Sequence, residues 1–488
     1  MLIKLDVRLR RICAGLFVME LLLSGLHAQP ITLEAVLQQV AAHHPGLTVF
    51  KKQMEAARNS ADAPRAALDP TLSLSGGYTY DKSTNYIALF SGESSGLGLS
   101  GAYQQYFEQG WQLSASLASN WAAISPGSIY IPINPYYNAV AAVTLSKPLA
   151  KGRDGLGFQK LLKIAAAQAD FLDPAYRTLL EGTLFQAAAG YWNWTRTVEI
   201  QRLKDQSLQL ALSLSEAVNR KAAQGLSEQR DVLQIQSLVI LRRQELLGAQ
   251  QDASATWELL QKSCYWPPTR NAEPQYQFQV NLNLPDANTV FQQAQSQRAD
   301  RREILQRLAA NDLQIEYNQG SLQDDLAVAA TVKSSSLTSD SASMLTNLFK
   351  MGNPHVELGL NYSPAWSRRS DRIALQNARV DQTRLNEQLR SFDLELAYAI
   401  QRQYDLVLTN GKKTENARAL VASQKAKMDN ELLSYNLGRS AIQFVIDARN
   451  DYVNAQLMLV SAQIDREIAY LTLVYLQHGL GDTFVTGL

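Results

Sequence analysis

The sequence predicts a mixed α/β membrane protein, in which a long antiparallel coiled-coil α-helical tube continues into a transmembrane antiparallel β-barrel. Three observations predict this fold class. Long stretches carry apolar residues every seven positions, shorter stretches alternate apolar and polar residues, and two internal repeats build both parts. Between Gln109 and Ser146 there is no Asp, Glu, Lys or Arg, although 19% of the whole chain is charged. A water-facing surface of that length would normally carry charge.

The N-terminus, residues 1–28, has the pattern of a secretory signal peptide. Three arginines precede an apolar run, and a small-residue cleavage site follows Ala28. An N-terminal membrane anchor is the alternative, but the run is shorter than the ~20 residues that a bilayer-spanning helix needs. We therefore expect an exported protein. Its mature part keeps one cysteine, Cys264, so packing rather than an internal disulfide must hold it together.

An internal duplication divides the mature chain into repeats at 29–285 and 286–488. At one constant offset, Gly225 aligns with Gly438 and Ser227 with Ser440. Each repeat reads as an opening helix, a strand region and a long helical hairpin. The strand regions and hairpin turns are predicted at about 71–149 and about 225 in the first repeat, and at about 326–363 and about 438 in the second.

The strand regions alternate apolar and small polar residues. In "TLSLSGGYTY", Leu72 and Leu74 lie on one face and Ser73 and Ser75 on the other. Such alternation with aromatic residues near the strand ends is typical of a transmembrane barrel, and a soluble antiparallel sheet is the alternative. We count four to six candidate strands, fewer than the ~8 that a membrane barrel needs. Because an open sheet edge cannot face lipid, we expect a symmetric oligomer.

The long helices carry seven-residue repeats that predict coiled-coil packing. The two clearest series are Val232, Val239, Leu246, Ala253 and Leu260, and Ala441, Ala448, Ala455, Ala462 and Ala469. Upstream of Gly225 two such seams run side by side, which fits either one wide core-facing stripe or a helix with a neighbour on each side. Glycine in a helix interior costs about 1 kcal/mol, so Gly225 and Gly438 are predicted to be turns where a long helix ends and the chain reverses.

No motif in the sequence indicates an enzyme, a cofactor or a metal site. His43 and His44 are adjacent, which is not a metal-ligand spacing on a helix, and no nucleophile motif, phosphate-binding loop or paired-cysteine motif occurs. The formal net charge is +1, and no dense run of basic residues with interleaved aromatics suggests nucleic acid as a partner.

Five segments together resemble the TolC-type outer-membrane efflux proteins. They are "ITLEAVLQQVAAHHPGL", "AALDPTLSLSGGY", "LSKPLAKG", "AAGYWNW" and "YNLGRSAIQFVIDARNDYVNAQ". The resemblance implies a homotrimer in the outer membrane of a Gram-negative-type cell, extending into the periplasm. Each chain is then expected to give four strands to a twelve-stranded barrel and long helices to a twelve-helix tube. The implied partners are a periplasmic adaptor (membrane fusion) protein and, through it, an inner-membrane pump.

The resemblance also implies two sets of functional residues. By position, the adaptor-docking tip turns are Gly225, Leu226, Ser227, Gly438, Arg439 and Ser440. Some members of the family narrow the pore with two acidic residues just after the second turn. The corresponding candidates for a pore constriction are Asp231, Phe444 and Asp447. Solvated carboxylates at the helix ends, without any role in the pore, are the alternative.

The chain departs from the family pattern in its strand region. Its first half has more strand-like segments than the two of the family, which predicts a further hairpin or longer strands. Asp324 stands where the first repeat has Pro70, and Asp173-Pro174 predicts a kink or a helix start. The expected function is that of a passive exit duct for small molecules or exported polypeptide, with the cargo left open. A non-pore periplasmic coiled-coil scaffold or adaptor is the main alternative, and an exported hydrolase is a weaker one.

Overall fold

A computed structural model describes residues 29–82, 93–125, 132–268, 272–278, 284–366, 368–477 and 479–481. The predicted signal peptide, residues 1–28, lies outside these ranges. The described helices are α1 Leu33–His43, α2 Pro45–Ala61, α3 Leu156–Asp170, α4 Leu172–Ala223, α5 Gln229–Cys264, α6 Ala287–Gln297, α7 Ala299–Ser321, α8 Ser341–Phe349, α9 Arg369–Asn436 and α10 Ile442–Leu476. The strands are β1 Gln29–Thr32, β2 Thr71–Asp81, β3 Glu93–Tyr106, β4 Gln112–Ser125, β5 Tyr136–Pro148, β6 Ala272–Gln275, β7 Asp325–Thr338 and β8 Pro354–Ser363.

The chain forms two compact units, and each takes segments from both halves of the sequence. The first contains the described residues of Met1–Lys52, Pro174–Arg302 and Arg390–Leu488. The second contains the described residues of Gln53–Asp173 and Glu303–Leu389. The predicted repeats at 29–285 and 286–488 describe a similarity between segments of the sequence, whereas these units describe packing. The repeat boundaries remain a prediction.

The first unit is mainly helical, and its main core includes several large aromatic rings. Trp194 and Tyr191 of α4 are buried, and Trp194 lies 4.6 Å from Trp257 of α5 between ring centroids. The Tyr191 hydroxyl donates a hydrogen bond to the Gln275 carbonyl at 2.7 Å, next to a short parallel ladder between β1 and β6. Burial of three large rings supplies much of the apolar contact area that fixes the long helices side by side.

Most of the predicted heptad positions lie in the helix interfaces, whereas Ala441, the first member of the second series, is exposed. Val232, Val239, Ala253 and Leu260 of α5 are all less than a tenth exposed. Both seams upstream of Gly225 are used within the chain. Leu208 and Ala211 of the second seam pack against Val239 of α5. Leu214 of the first seam and Val218 of the second lie in one cluster with residues of both α5 and α10. Helix α4 therefore contacts both α5 and α10. Because one cluster takes residues from both seams, the choice between one wide stripe and a neighbour on each side stays a prediction.

The second unit contains a six-stranded antiparallel sheet in the order β2-β3-β4-β5-β7-β8. The resemblance implied four strands in each chain, and this expectation is wrong for the described structure. The additional pair is the hairpin β3–β4, which the extra strand-like segments predicted. Its turn is closed by a hydrogen bond from the Phe107 amide to the Trp111 carbonyl at 2.8 Å, with Gly110 at a φ of 83°.

The short helix α8 covers one face of this sheet between β7 and β8. Met344 and Leu348 are buried against Ala139 of β5, and the Ser334 hydroxyl of β7 donates to the Leu348 carbonyl at 2.8 Å. Ser334 and Ser336 lie at this place on the mostly apolar face, near Ser119 of β4. The helix covers both of them, with 5% and 3% of their surface left exposed.

The Asp173-Pro174 step marks a helix start, because α3 ends at Asp170 and α4 begins at Leu172, with the proline in its first turn. Of the helices in the described ranges, none combines the length and the hydropathy that a bilayer-spanning helix needs.

Candidate functional site

The two predicted turns have the same backbone geometry. Helix α4 ends before Gly225, which has a φ of 71°, and helix α9 ends before Gly438, with a φ of 70°. In each turn the next residue's amide reaches back to the helix, from Leu226 to the Lys221 carbonyl and from Arg439 to the Ser434 carbonyl, both at 2.9 Å. This is the Schellman arrangement, which requires a left-handed residue and therefore favours glycine. Gly225 and Gly438 thus lie where the two long helices end.

The ends of the two hairpins share one apolar cluster. It joins Leu214 and Val218 of α4, Val232 and Ile235 of α5, Tyr435 of α9, and Ile442, Val445 and Ile446 of α10. Leu226, Leu437 and Phe444 lie outside this cluster and are exposed, by 73%, 59% and 59%. The ends of the hairpins thus enclose a buried apolar cluster and expose further apolar side chains around the turns.

The two serines after the glycines hold different carboxylates. Ser227 donates to Asp231 at 3.2 Å, within the first turn of α5, and Ser440 donates to Glu431 of α9 at 2.9 Å. An acidic side chain in the first turn of a helix is stabilised by the helix dipole and by free backbone amides. Asp231 is therefore part of the turn structure.

The three candidates for a pore constriction have different surroundings. The Asp231 side chain is 21% exposed and also lies 4.0 Å from the Arg230 guanidinium. Asp447, by contrast, is exposed and accepts a hydrogen bond from Gln443 of its own helix at 2.7 Å. Phe444 lies one turn before Asp447 on the same exposed side of α10. The structure therefore groups Phe444 with Asp447 and places Asp231 in a separate set of contacts.

Two contacts that sequence reasoning missed connect the two hairpins. Lys221 of α4 contacts Tyr435 of α9, and Gln234 of α5 hydrogen-bonds Gln443 of α10. Burial raises the pKa of the Tyr435 hydroxyl and the Asp231 carboxylate raises it further, while a hydrogen bond with Ser227 acts in the opposite direction. Nothing in the heptad pattern marks these polar positions, because their partners are distant in sequence.

A group of polar side chains ties α4, α5 and α10 together further along the hairpins. Lys204 and Arg242 both bind Glu245, at 2.9 and 2.7 Å, and Arg242 also donates to Asn450. Burial alone would raise the pKa of Glu245, yet hydrogen bonds from these two cations bring it below its usual range. The Arg242–Glu245 spacing of one helical turn is visible in the sequence, whereas Lys204 and Asn450 are not predictable from it.

The six-stranded sheet has two chemically different faces. On one face Ser75 hydrogen-bonds Ser100 at 2.6 Å, and Thr144 lies 3.0 Å from Thr331. The opposite, apolar face carries residues that include Leu72, Leu74, Leu99, Leu117, Val143, Val332, Val356, Leu358 and Leu360. The alternation that the sequence predicted at Leu72, Leu74, Ser73 and Ser75 is therefore confirmed.

The sheet curves around its polar face. A cavity of about 520 Å³ opens mainly on that side and is lined by residues that include Ser75, Gly77, Gly98, Asn120 and Asn138. Small polar side chains line this concavity. Further along the same face lie three ionisable side chains, Lys333, His355 and Glu357, with the last two 3.9 Å apart. The sheet therefore has a polar concave face and an apolar convex face.

Metal-ligating side chains do not cluster in the described part of the chain. Among those residues no group of three or more His, Cys, Asp and Glu side chains is placed to hold a metal ion. His44 packs edge-on against the ring of Tyr265 at 5.0 Å, and Cys264 is buried.

Comparison with solved structures places this architecture in a known fold. The chain superposes on CusC, described in work on transmembrane channel formation, with a TM-score of 0.68 at 12% identity, covering 91% of each chain. It superposes on the outer-membrane channel OprN with a TM-score of 0.68 at 12% identity, covering 92% of this chain and 90% of OprN. It superposes on the outer-membrane channel CmeC of Campylobacter jejuni with a TM-score of 0.65 at 13% identity, covering 92% of this chain and 85% of CmeC.

At sequence identities of 12–13%, the structural similarity to these channels shows the fold of this chain. The predicted fold class, long helical hairpins joined to an antiparallel sheet as in TolC-type channels, is confirmed. No protein-family model matches the chain, and no curated protein matches it by sequence.

Proposed function

We propose that this chain is the outer-membrane channel of a tripartite efflux or secretion system. It provides a passive, water-filled exit duct for small molecules or exported polypeptide and performs no chemistry itself. One observation carries the proposal: a sheet with an apolar convex face and a polar concave face belongs to the same chain as two long helical hairpins. Lipid is the natural partner of the apolar face, and an aqueous lumen that of the polar face.

The proposed assembly is a homotrimer in the outer membrane of a Gram-negative-type cell, with its helices in the periplasm. Two features support it. Among the described residues, strands β2 and β8 lie at the sheet edges with one partner each, and such edges cannot remain open in lipid. Helices α5 and α9 also expose Leu233, Ile240, Val380 and Leu394, which offer apolar surface to neighbouring copies.

The two turns are the proposed docking site for a periplasmic adaptor protein. Leu226 and Arg439, directly after the glycines, are both exposed and available to a partner. The adaptor connects the duct to an inner-membrane pump, which supplies energy and selects the cargo. Opening is a rearrangement of the hairpin ends, because contacts such as Lys221 with Tyr435 hold the two hairpins together and adaptor binding stabilises the separated state.

Phe444 and Asp447 are the proposed constriction of the pore. Both are exposed on α10, and neither belongs to the apolar cluster of the hairpin ends. In a trimer they form a ring of three aromatic and three acidic side chains, which narrows the lumen and attracts cations. Asp231, which accepts a hydrogen bond from Ser227, stabilises the turn instead of narrowing the pore.

The native mass of the protein extracted from outer membranes tests the proposal. We expect a trimer that is recovered only with detergent and that conducts ions in planar lipid bilayers. A protein of the non-pore scaffold type would instead be recovered from the periplasm without detergent and would give no channel steps. That outcome would leave the helical hairpins without the proposed function.

A further inference from the structure

The six-stranded sheet has two open edges that complement each other. Within the described residues β2 pairs with β3 alone and β8 with β7 alone, whereas each strand between them has two partners. β2 contains 11 residues and β8 contains 10, so β2 is long enough to pair with the whole of β8. Along β2 every residue is exposed, and along β8 all but one are.

The directions of the two edge strands also allow them to pair as antiparallel strands between copies. All neighbours in the sheet are antiparallel, so with six strands β2 and β8 run in opposite directions. Copies related by rotation about one axis place β2 of one copy beside β8 of the next in antiparallel orientation. The faces then continue across the seam, with Leu74 and Leu358 on the apolar side and Ser75 and Glu357 on the polar side.

We infer that three copies close a single barrel of eighteen strands, six from each, in which β2 of every copy pairs with β8 of the next. This inference rests on the proposed trimeric channel and changes its dimensions. Barrel diameter grows roughly linearly with strand number, so at equal strand tilt the lumen is about one and a half times as wide as that of a twelve-stranded barrel.

The wider barrel has consequences for the cargo. Barrels of about 16 to 18 strands enclose an aqueous channel, and on the polar face here small side chains such as Ser75, Gly98 and Asn138 do not fill it. The sheet therefore offers a wide hydrophilic exit. The restriction on cargo size lies in the helical part, at the ring of Phe444 and Asp447, and the barrel accepts whatever hydrophilic solute passes that ring.

An eighteen-stranded barrel requires that the additional hairpin β3–β4 is part of the barrel itself. Ser116 of β4 lies on the polar face and Leu117 on the apolar face, within a strand that has hydrogen-bonded neighbours on both sides. If β3 and β4 are part of the barrel, Ser116 faces the lumen and Leu117 faces lipid.

Disulfide cross-linking between copies tests the seam. Ser75→Cys is combined in turn with Glu357→Cys, Gly359→Cys and Asn361→Cys, which scan the register along the polar face of β8. We expect at least one pair to give a covalently closed trimer after oxidation. Leu74→Cys combined with the same three changes is the matched control, because its side chain points to the opposite face and cannot form the bond. Cys264 adds no background, since it is buried and burial raises the pKa of its thiol to about 11.

The outcomes separate this inference from the proposed function. Covalent trimers, with a water-soluble maleimide labelling Ser116→Cys at least tenfold faster than Leu117→Cys in reconstituted vesicles, support eighteen strands. Closed dimers as the largest product would mean that two copies build twelve strands, and would overturn the inference. Trimeric, conducting protein in which Ser116→Cys and Leu117→Cys label alike would place the hairpin outside the wall, so that the channel function stands and the eighteen-stranded barrel fails. Absence of any trimer in detergent would contradict the proposed function itself.

Discussion

The ammonium group of Lys221 lies 3.9 Å from the ring centroid of Tyr435 and donates a hydrogen bond to the Tyr435 carbonyl at 3.2 Å. This contact joins the last turn of α4 to the last turn of α9, and so connects the two helical hairpins near their turns. A cation over an aromatic face is worth roughly 0.5–1 kcal/mol at a partly exposed site. The packing of the two hairpin ends against each other depends in part on this pair.

We expect Lys221→Met to raise the open probability of the channel in planar bilayers about threefold, because losing the contact destabilises the closed state by under ~1 kcal/mol. Lys425→Met, which removes an exposed lysine from α9, the helix that carries Tyr435, serves as the control and is expected to behave like the wild type. Equal open probabilities for the wild type and both variants would show that the Lys221–Tyr435 contact has no part in closing the hairpin ends.

Asp447→Asn is expected to reduce cation selectivity without altering assembly, since Asp447 is exposed and its contact is with Gln443 of its own helix. Asp231→Asn is expected to act on stability instead, costing about 0.3–1 kcal/mol, because it removes a charge from the first turn of α5. The reversal potential across a KCl gradient and the melting temperature separate the two effects. If Asp231→Asn shifts the reversal potential as far as Asp447→Asn does, both carboxylates belong to the constriction; if neither shifts it, the proposed constriction is wrong.

Gly225→Ala and Gly438→Ala are each expected to destabilise the helical unit by about 1–2 kcal/mol, because alanine is strained at a φ near 70°. Gly248→Ala is the matched control. This glycine lies in the interior of α5 with open space around its Cα, so alanine there is expected to stabilise the helix by up to ~1 kcal/mol. Thermal unfolding of the detergent-solubilised protein, followed by circular dichroism of the helices, measures all three. Equal effects at the three positions would contradict the assigned turns.

The Glu245 ion pairs predict a defined pH dependence. The pKa of Glu245 in the folded protein lies below its ordinary value of 4.5, so its ionised form stabilises the fold above that value. This contribution is lost as the pH falls through the lowered pKa. Glu245→Gln is therefore expected to be less stable than the wild type near neutral pH, by no more than ~1 kcal/mol for a partly exposed group, and to match it in strong acid. Melting curves across acid and neutral pH test this, and a difference that persists in strong acid would assign the effect to packing.

Local patterns were sufficient for the long helical hairpins and for the alternating strands of the sheet. The positive φ of Gly225 and Gly438 follows from glycine at the end of a heptad pattern, and the buried positions Val232, Val239 and Leu260 follow from the seven-residue repeat. The separation of Leu72 and Leu74 from Ser73 and Ser75 follows from the two-residue period of a strand. Each of these signals depends on residues a few positions apart, so it can be read from the chain alone.

Pairing over long distances was decided only by the tertiary structure. The resemblance implied four strands, while alternation left four to six open, because a strand's own sequence does not state how many neighbours it has. The pairing of β5 with β7, across more than a hundred intervening residues, settles the sheet at six. For the same reason the sequence could not distinguish the surroundings of Asp231 from those of Asp447, since both residues follow a glycine turn. In the structure Ser227 and Tyr435 lie near Asp231, whereas Asp447 is exposed. The sequence determined the periodic elements and their faces, whereas contacts between distant segments determined the width of the sheet and the surroundings of each carboxylate.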